Sequence, residues 1–153
     1  MFVSYFSQVP VPFDIAVERL EPVLGELGGW AHEAYRNGEK LRARIGMGKV
    51  APMIAKTVVL ETATPERGLD SLIIPVSWRA TGAPMFFPMM RADLHLLRVS
   101  KDTTQIRLSG SYTVPLGSIG QIFDDALLHR IAEGTIENFV NRIAEALTTT
   151  RRE

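Results

Sequence analysis

The chain has 153 residues, with 17 basic and 17 acidic side chains that give a formal net charge of zero. This length suits one hydrophobic core, so we expect a single domain over residues 1–153. The balanced charge provides no overall field that would attract nucleic acid or an anionic membrane. The absence of cysteine excludes disulfides, thiol nucleophiles and thiolate metal sites.

The N-terminal stretch is a poor signal peptide. No basic residue precedes its apolar residues, and Pro10 and Pro12 interrupt it early. No apolar run approaches the roughly 20 residues needed to cross a bilayer. We therefore expect a cytoplasmic protein without stable membrane insertion.

The first part of the chain reads as a strand followed by two short helices. Phe2–Val9 is rich in aromatic and β-branched residues, which favours a strand that the two prolines end. Over residues 13–37 apolar residues recur at helical spacing, and Asp14 is placed to cap the first turn. Pro22 and the glycines at 28–29 predict a break between two helices.

From residue 41 the apolar residues alternate, as is typical of half-buried strands. Turn-like clusters that contain glycine, proline or charged residues separate these runs. The predicted strands cover residues 41–47, 53–62, 69–81, 89–99 and 103–114, with the last two joined as a hairpin across 100–102. Short turns between successive strands favour an antiparallel sheet.

A long amphipathic segment over residues 117–147 predicts a closing helix. Its apolar face includes Phe123 and Leu127 and later rotates toward Ile136 and Val140, with His129 near the change. Helices collected on one side of an antiparallel sheet define an α+β fold.

This order of elements resembles the START-like or SRPBCC superfamily, also called the helix-grip or Bet v 1-like fold. The stretches that carry the resemblance are PVSWRATG at 75–82, FPMMRADLHL at 87–96, LSGSYTVPLGSIG at 108–120 and DDALLHRIAEGTIENFVNRIAEAL at 124–147. They are similar to a bacterial, actinobacterial-type branch. The resemblance implies a curved antiparallel sheet of six or seven strands, two short helices after the first strand, and a long C-terminal helix over an apolar cavity.

Apolar residues on one face of neighbouring strands are the candidate lining of this cavity, with ordinary core as the alternative interpretation. Trp78 and Tyr112 each join a large ring to a polar group that suits the orientation of a ligand. The predicted ligand-binding residues are Ile74, Val76, Trp78, Phe87, Met89, Leu108, Tyr112, Phe123, Leu127 and His129.

The Met- and Phe-rich stretch at 85–90 is a second candidate site. Thioethers beside aromatic rings suit a pocket mouth or a contact surface, and they also fill irregular cores. Pro84 and Pro88 disfavour a regular buried strand here. This stretch carries the alternative of a protein-interaction or homodimer module.

His129 and Glu133 are the weak catalytic candidates on the long helix, with Tyr112 as a third on the sheet. A spacing of four places the imidazole beside the carboxylate, which would orient it for acid–base chemistry. The competing interpretation is a boundary histidine in a surface ion pair.

No metal or cofactor site is predicted. The segment around His32 lacks the second histidine of a zinc helix. The alternation of Arg91, Asp93 and His95 with apolar residues predicts the solvent-exposed face of a strand. GMGK at 46–49 lacks the spacing of a phosphate loop.

The leading hypothesis is a non-catalytic protein that binds or carries a small hydrophobic molecule, such as a lipid, between the sheet and the C-terminal helix. A polyketide cyclase- or hydrolase-like enzyme that uses the same cavity is the first alternative. The interaction module is the second. The expected partner is therefore a small hydrophobic molecule, with no nucleic acid.

Overall fold

The computed structural model describes residues 1–26, 57–81, 89–113 and 125–149. Within these ranges the fold is α+β, with a curved antiparallel sheet of six strands and two α-helices. The fold class and the antiparallel sheet agree with the sequence prediction. The elements are β1 (Phe2–Val9), α1 (Phe13–Val23), a 3-10 turn (Leu24–Glu26), β2 (Thr57–Thr62), β3 (Glu66–Arg67), β4 (Ser71–Thr81), β5 (Met89–Ser100), β6 (Thr103–Thr113) and α2 (Asp125–Thr148).

The strands follow the order β1-β6-β5-β4-β2, and β3 also pairs with β4. The predicted hairpin of β5 and β6 is present, with Ser100 paired to Thr103 across a two-residue turn. Even-numbered residues of β4, β5 and β6 point to one side of the sheet, which we call the inner face, where most of them are buried. Both helices pack on this side, and α2 lies mainly over β1.

β3 lies inside the stretch that the sequence predicted as a turn, so this part of the prediction was wrong. Pro75 in β4 explains the interrupted pairing at this place. Its carbonyl accepts a hydrogen bond from the Ala63 N–H at 2.9 Å. The backbone nitrogen of Pro75 points to the same neighbouring segment, but proline has no N–H to donate to it. Pairing on that side is broken between Thr62 and Glu66, whereas the ladder to β5 continues on the other side.

α1 begins after Pro12, and no side chain of the described residues caps its first turn. The predicted cap by Asp14 is therefore wrong, because its carboxylate binds arginine side chains instead. Four residues on one side of α1 are buried: Phe13, Ala16, Leu20 and Val23. Pro22 lies in the last turn, and the helix tightens there to the 3-10 turn, which agrees with the predicted break.

α2 supplies the other half of the packing on the inner face. Among its residues with described side chains, the buried apolar ones are Ile136, Phe139, Val140, Ile143 and Leu147. Arg19 of α1 donates a hydrogen bond from Nη1 to the Leu147 carbonyl at 2.6 Å, which joins the two helices. The predicted strand 41–47, the second short helix and the start of the closing helix before residue 125 lie outside the described residues. None of the helices in the described ranges is long and apolar enough to span a membrane.

Candidate ligand-binding groove

An open groove of about 510 Å³ lies between α1 and the inner face of β4. Leu20, Leu72 and Ile74 form its apolar floor, and each is at least 93% buried. The described residues that line the groove are Asp14, Val17, Glu18, Leu20, Glu21, Leu24, Pro65, Arg67, Leu72 and Ile74. A concave, largely apolar surface with a few polar groups is typical of small-molecule sites.

α1 gives the groove both apolar and acidic surface. Val17, Leu20 and Leu24 follow helical spacing and contribute apolar surface. Glu18 and Glu21 are exposed and stand beside this apolar stripe on the groove side of the helix. The helix therefore presents an apolar surface with an acidic border.

A cluster of charged side chains joins the start of α1 to the sheet. Arg98 donates from Nε to Asp70 Oδ1 at 2.7 Å and from Nη2 to Asp14 Oδ2 at 3.1 Å. Both hydrogen bonds raise the pKa of Arg98, and the bond to Asp14 has the larger effect. The Arg98 guanidinium also lies 5.0 Å from the centre of the Phe13 ring, and Arg67 Nη2 lies 3.6 Å from Asp14 Oδ1. Because most of these groups are exposed, their ion pairs contribute little to stability. The cluster lies at the end of the groove, where Asp14 and Arg67 belong to the lining.

Ile74 is the predicted ligand-binding residue that lines the groove. Val76 and Trp78 follow it on the inner face of β4, and both are buried. The Trp78 ring meets the Phe139 ring of α2 edge to face, with centroids 5.4 Å apart. Leu108 of β6 is also buried, beside Leu94 of β5. These residues therefore belong to the buried core on the inner face, and they are not part of the described lining of the groove.

Tyr112 is 3% exposed and lies in the same row of the sheet as Met90 and Trp78. Its hydroxyl donates to the Met1 Sδ at 3.1 Å. Met89 points to the outer face and is 47% exposed, whereas Met90 is buried. Residues 85–88 lie outside the described residues, so the interaction module stays a prediction.

The predicted pair on α2 is present, with His129 Nε2 3.1 Å from Glu133 Oε1. The two side chains are 39% and 55% exposed. Neither belongs to the described lining of the groove, and neither does Tyr112. Their catalytic use stays a prediction. The predicted site residues Phe87 and Phe123 and the side chain of Leu127 lie outside what the structure describes.

Sequence reasoning missed the contribution of α1 to the groove. It placed the ligand between the sheet and the closing helix, whereas Val17 and Leu20 of α1 and Leu24 of the following 3-10 turn line the groove that the structure describes. The amphipathic pattern of α1, with acidic residues beside the apolar stripe, was the available signal. Arg67 was assigned to a turn, and its position at the groove depends on the pairing of β3 with β4.

A second depression, of about 710 Å³, lies on the outer face of the sheet. Its lining includes Ser77, Ser109 and Ser111 together with Arg91 and Asp93. Arg91 and Asp93 are exposed, in agreement with the solvent-exposed strand face that the sequence predicted. The polar lining makes this depression a poorer site for a hydrophobic molecule. The described residues contain no group of three or more His, Asp and Glu side chains that could hold a metal ion.

Among solved structures, a conserved protein from Geobacillus kaustophilus is similar to this chain, with a TM-score of 0.57 and 12% identity over 94% of this chain and 93% of that one. At this identity the likeness shows a shared fold. An aromatase/cyclase from a Streptomyces species has a TM-score of 0.44 and 12% identity, over 96% and 93% of the two chains. A START superfamily protein from Mycobacterium smegmatis has a TM-score of 0.27 and 14% identity, over 94% and 97%. No protein-family model matches this chain, and no curated protein is significantly similar to it in sequence.

Proposed function

We propose that this chain is a START-like domain that binds or carries a small hydrophobic molecule in the groove between α1 and β4. The observation that carries this proposal is the open groove of about 510 Å³ with an apolar floor. Pockets for small organic ligands span roughly 300–1,000 Å³ and are mostly apolar. The fold and the size of the groove thus support the same class of ligand.

The expected affinity is moderate. A ligand that buries about 200 Å² of its apolar surface in the groove gains roughly 5 kcal/mol of binding free energy from the hydrophobic effect. The loss of its translational and rotational freedom offsets part of this gain. Reversible binding of this kind suits a carrier, which must also release its ligand.

Filling the groove with a larger apolar side chain tests the proposal. Val17 is half-buried and lines the groove, so Val17→Phe should occupy part of its volume without adding a charge. We expect this variant to bind a neutral fluorescent hydrophobic dye several-fold more weakly than the wild type, as measured by fluorescence titration.

Ile15→Phe is the matched control, since Ile15 is on α1, is 40% exposed and is not part of the described lining. It should bind the dye like the wild type. Equal dye binding by Val17→Phe, with an unchanged unfolding midpoint, would contradict the proposed site. Absence of dye binding to the wild type would contradict the proposed function.

A further inference from the structure

We infer that the groove selects amphiphiles with a positively charged head, such as an alkylammonium ion, over carboxylates with the same hydrocarbon tail. This selectivity rests on the proposed function, because it names the ligand class of the same groove. The juxtaposition behind it is an apolar floor beside two acidic side chains of α1.

The described lining carries three acidic side chains, Asp14, Glu18 and Glu21, and one basic side chain, Arg67. Asp14 already binds Arg98 and Arg67. Glu18 and Glu21 have no ion pair or side-chain hydrogen bond within the parts of the chain that the structure describes. The border of the groove therefore holds two carboxylates whose charge no described side chain balances.

The position of these carboxylates in α1 strengthens the preference for a cation. Glu18 and Glu21 are three residues apart on one side of the helix, where like charges repel each other. Glu21 also lies in the last turn, close to the negative end of the helix dipole, and this turn contains no basic residue. A cation beside both carboxylates would reduce this repulsion, whereas an anion would increase it.

The apolar residues determine how such a ligand lies in the groove. Leu72 and Ile74 of β4 and Leu20 of α1 are buried below the acidic border. A hydrocarbon tail placed on this floor leaves the head of the ligand at the exposed side of α1. An ammonium head there keeps part of its hydration while it approaches the carboxylates, so the cost of desolvation stays small.

Three probes with the same tail and different heads separate this inference from the proposed function. Octylamine, octanol and octanoate are titrated against the bound neutral dye at neutral pH, in low salt and below the micelle concentrations of the two ionised probes. We expect the amine to bind about threefold more tightly than the alcohol and about tenfold more tightly than the carboxylate, since each exposed charge pair contributes little. Added salt should reduce these ratios, because exposed charges are screened.

Substitution of the two glutamates tests which charges are responsible. The double variant Glu18→Gln, Glu21→Gln should bring the amine and carboxylate affinities to within about twofold of each other, and Glu18→Lys, Glu21→Lys should reverse the preference. Glu137→Gln, Glu145→Gln is the matched control, because both residues are exposed on α2 and the change in net charge is the same. This control should keep the preference of the wild type. Circular dichroism melts of all variants verify that they are folded.

Equal affinity of the wild type for the three probes would overturn the inference and leave the proposed function intact. A preference that survives Glu18→Lys, Glu21→Lys in a folded protein would overturn it too. If none of the three probes displaces the dye from the wild type, both the inference and the proposed ligand class are contradicted.

Discussion

Thr104 is a polar residue with an important place in the core, because it fixes the segment that leads into α1. Its side chain is fully buried, and its Oγ1 donates a hydrogen bond of 2.7 Å to the Val11 carbonyl. Val11 lies between β1 and α1 and is itself 4% exposed. The bond therefore joins the start of β6 to the chain that positions the groove helix.

Replacement of Thr104 by valine keeps the shape of the side chain and removes the donor. We expect Thr104→Val to lower the free energy of unfolding by about 1–3 kcal/mol, since the buried Val11 carbonyl loses its partner. Urea denaturation followed by circular dichroism measures this loss. Thr103→Val, at the half-buried neighbouring position, should change stability by less than about 0.5 kcal/mol. Equal effects of the two substitutions would contradict the role of this hydrogen bond.

At the residue scale the sequence predicted which side chains point into the core. It did not predict which side chains of other elements they contact. Ile74, Val76, Trp78 and Leu108 are all buried, as their alternation indicated. The packing of Trp78 on Phe139 of α2 could not be predicted, because it depends on how α2 crosses the sheet. Alternation identifies the face of a strand and says nothing about the element that covers it.

At the scale of the elements, Gly110 allows β5 and β6 to approach each other closely, because it has no side chain. It lies opposite Ala92 in the β5–β6 ladder. A Cβ added to Gly110 would clash with the Ala92 Cβ and with the Arg91 carbonyl oxygen. Both obstacles are backbone or directly attached to it, so a larger residue here requires the two strands to move apart.

Gly110→Ala should therefore destabilise the protein by about 1–3 kcal/mol, the usual cost of overpacking. Gly25→Ala is the control, because a Cβ at Gly25 meets no atom of the structurally described part of the chain within 4 Å. It should leave stability unchanged or raise it slightly, since alanine restricts the unfolded chain. Thermal unfolding of both variants by calorimetry measures the difference. A Gly110→Ala protein as stable as the wild type would show that the ladder adapts without cost.

The bounds of several elements followed from local chemistry. β1 covers the predicted Phe2–Val9, because two prolines after it remove donors and end the strand. The hairpin of β5 and β6 was predicted from its alternation and its short turn. β3 was missed, because two residues give no periodicity and their pairing depends on the strand beside them.

At the scale of the whole molecule, a ligand that binds the folded chain alone should stabilise it. With free octanol at about 10 times its Kd, linkage gives roughly 1.4 kcal/mol of stabilisation. For a chain of this size we expect the Tm to rise by about 3–6 °C in a calorimetric scan. Val17→Phe should show a smaller rise at the same octanol concentration. An identical rise in both proteins would indicate that octanol binds elsewhere.

The sequence by itself determined the α+β class, most strands and both helices, because hydrophobic periodicity and proline or glycine breaks act over a few residues. Through the resemblance in the order of elements it also predicts an apolar ligand, which stays a prediction. Only the tertiary structure decided that α1, with Glu18 and Glu21, borders the groove on β4. That arrangement depends on contacts between segments far apart in the chain, such as Arg98 with Asp14 and Thr104 with Val11, which no local pattern encodes.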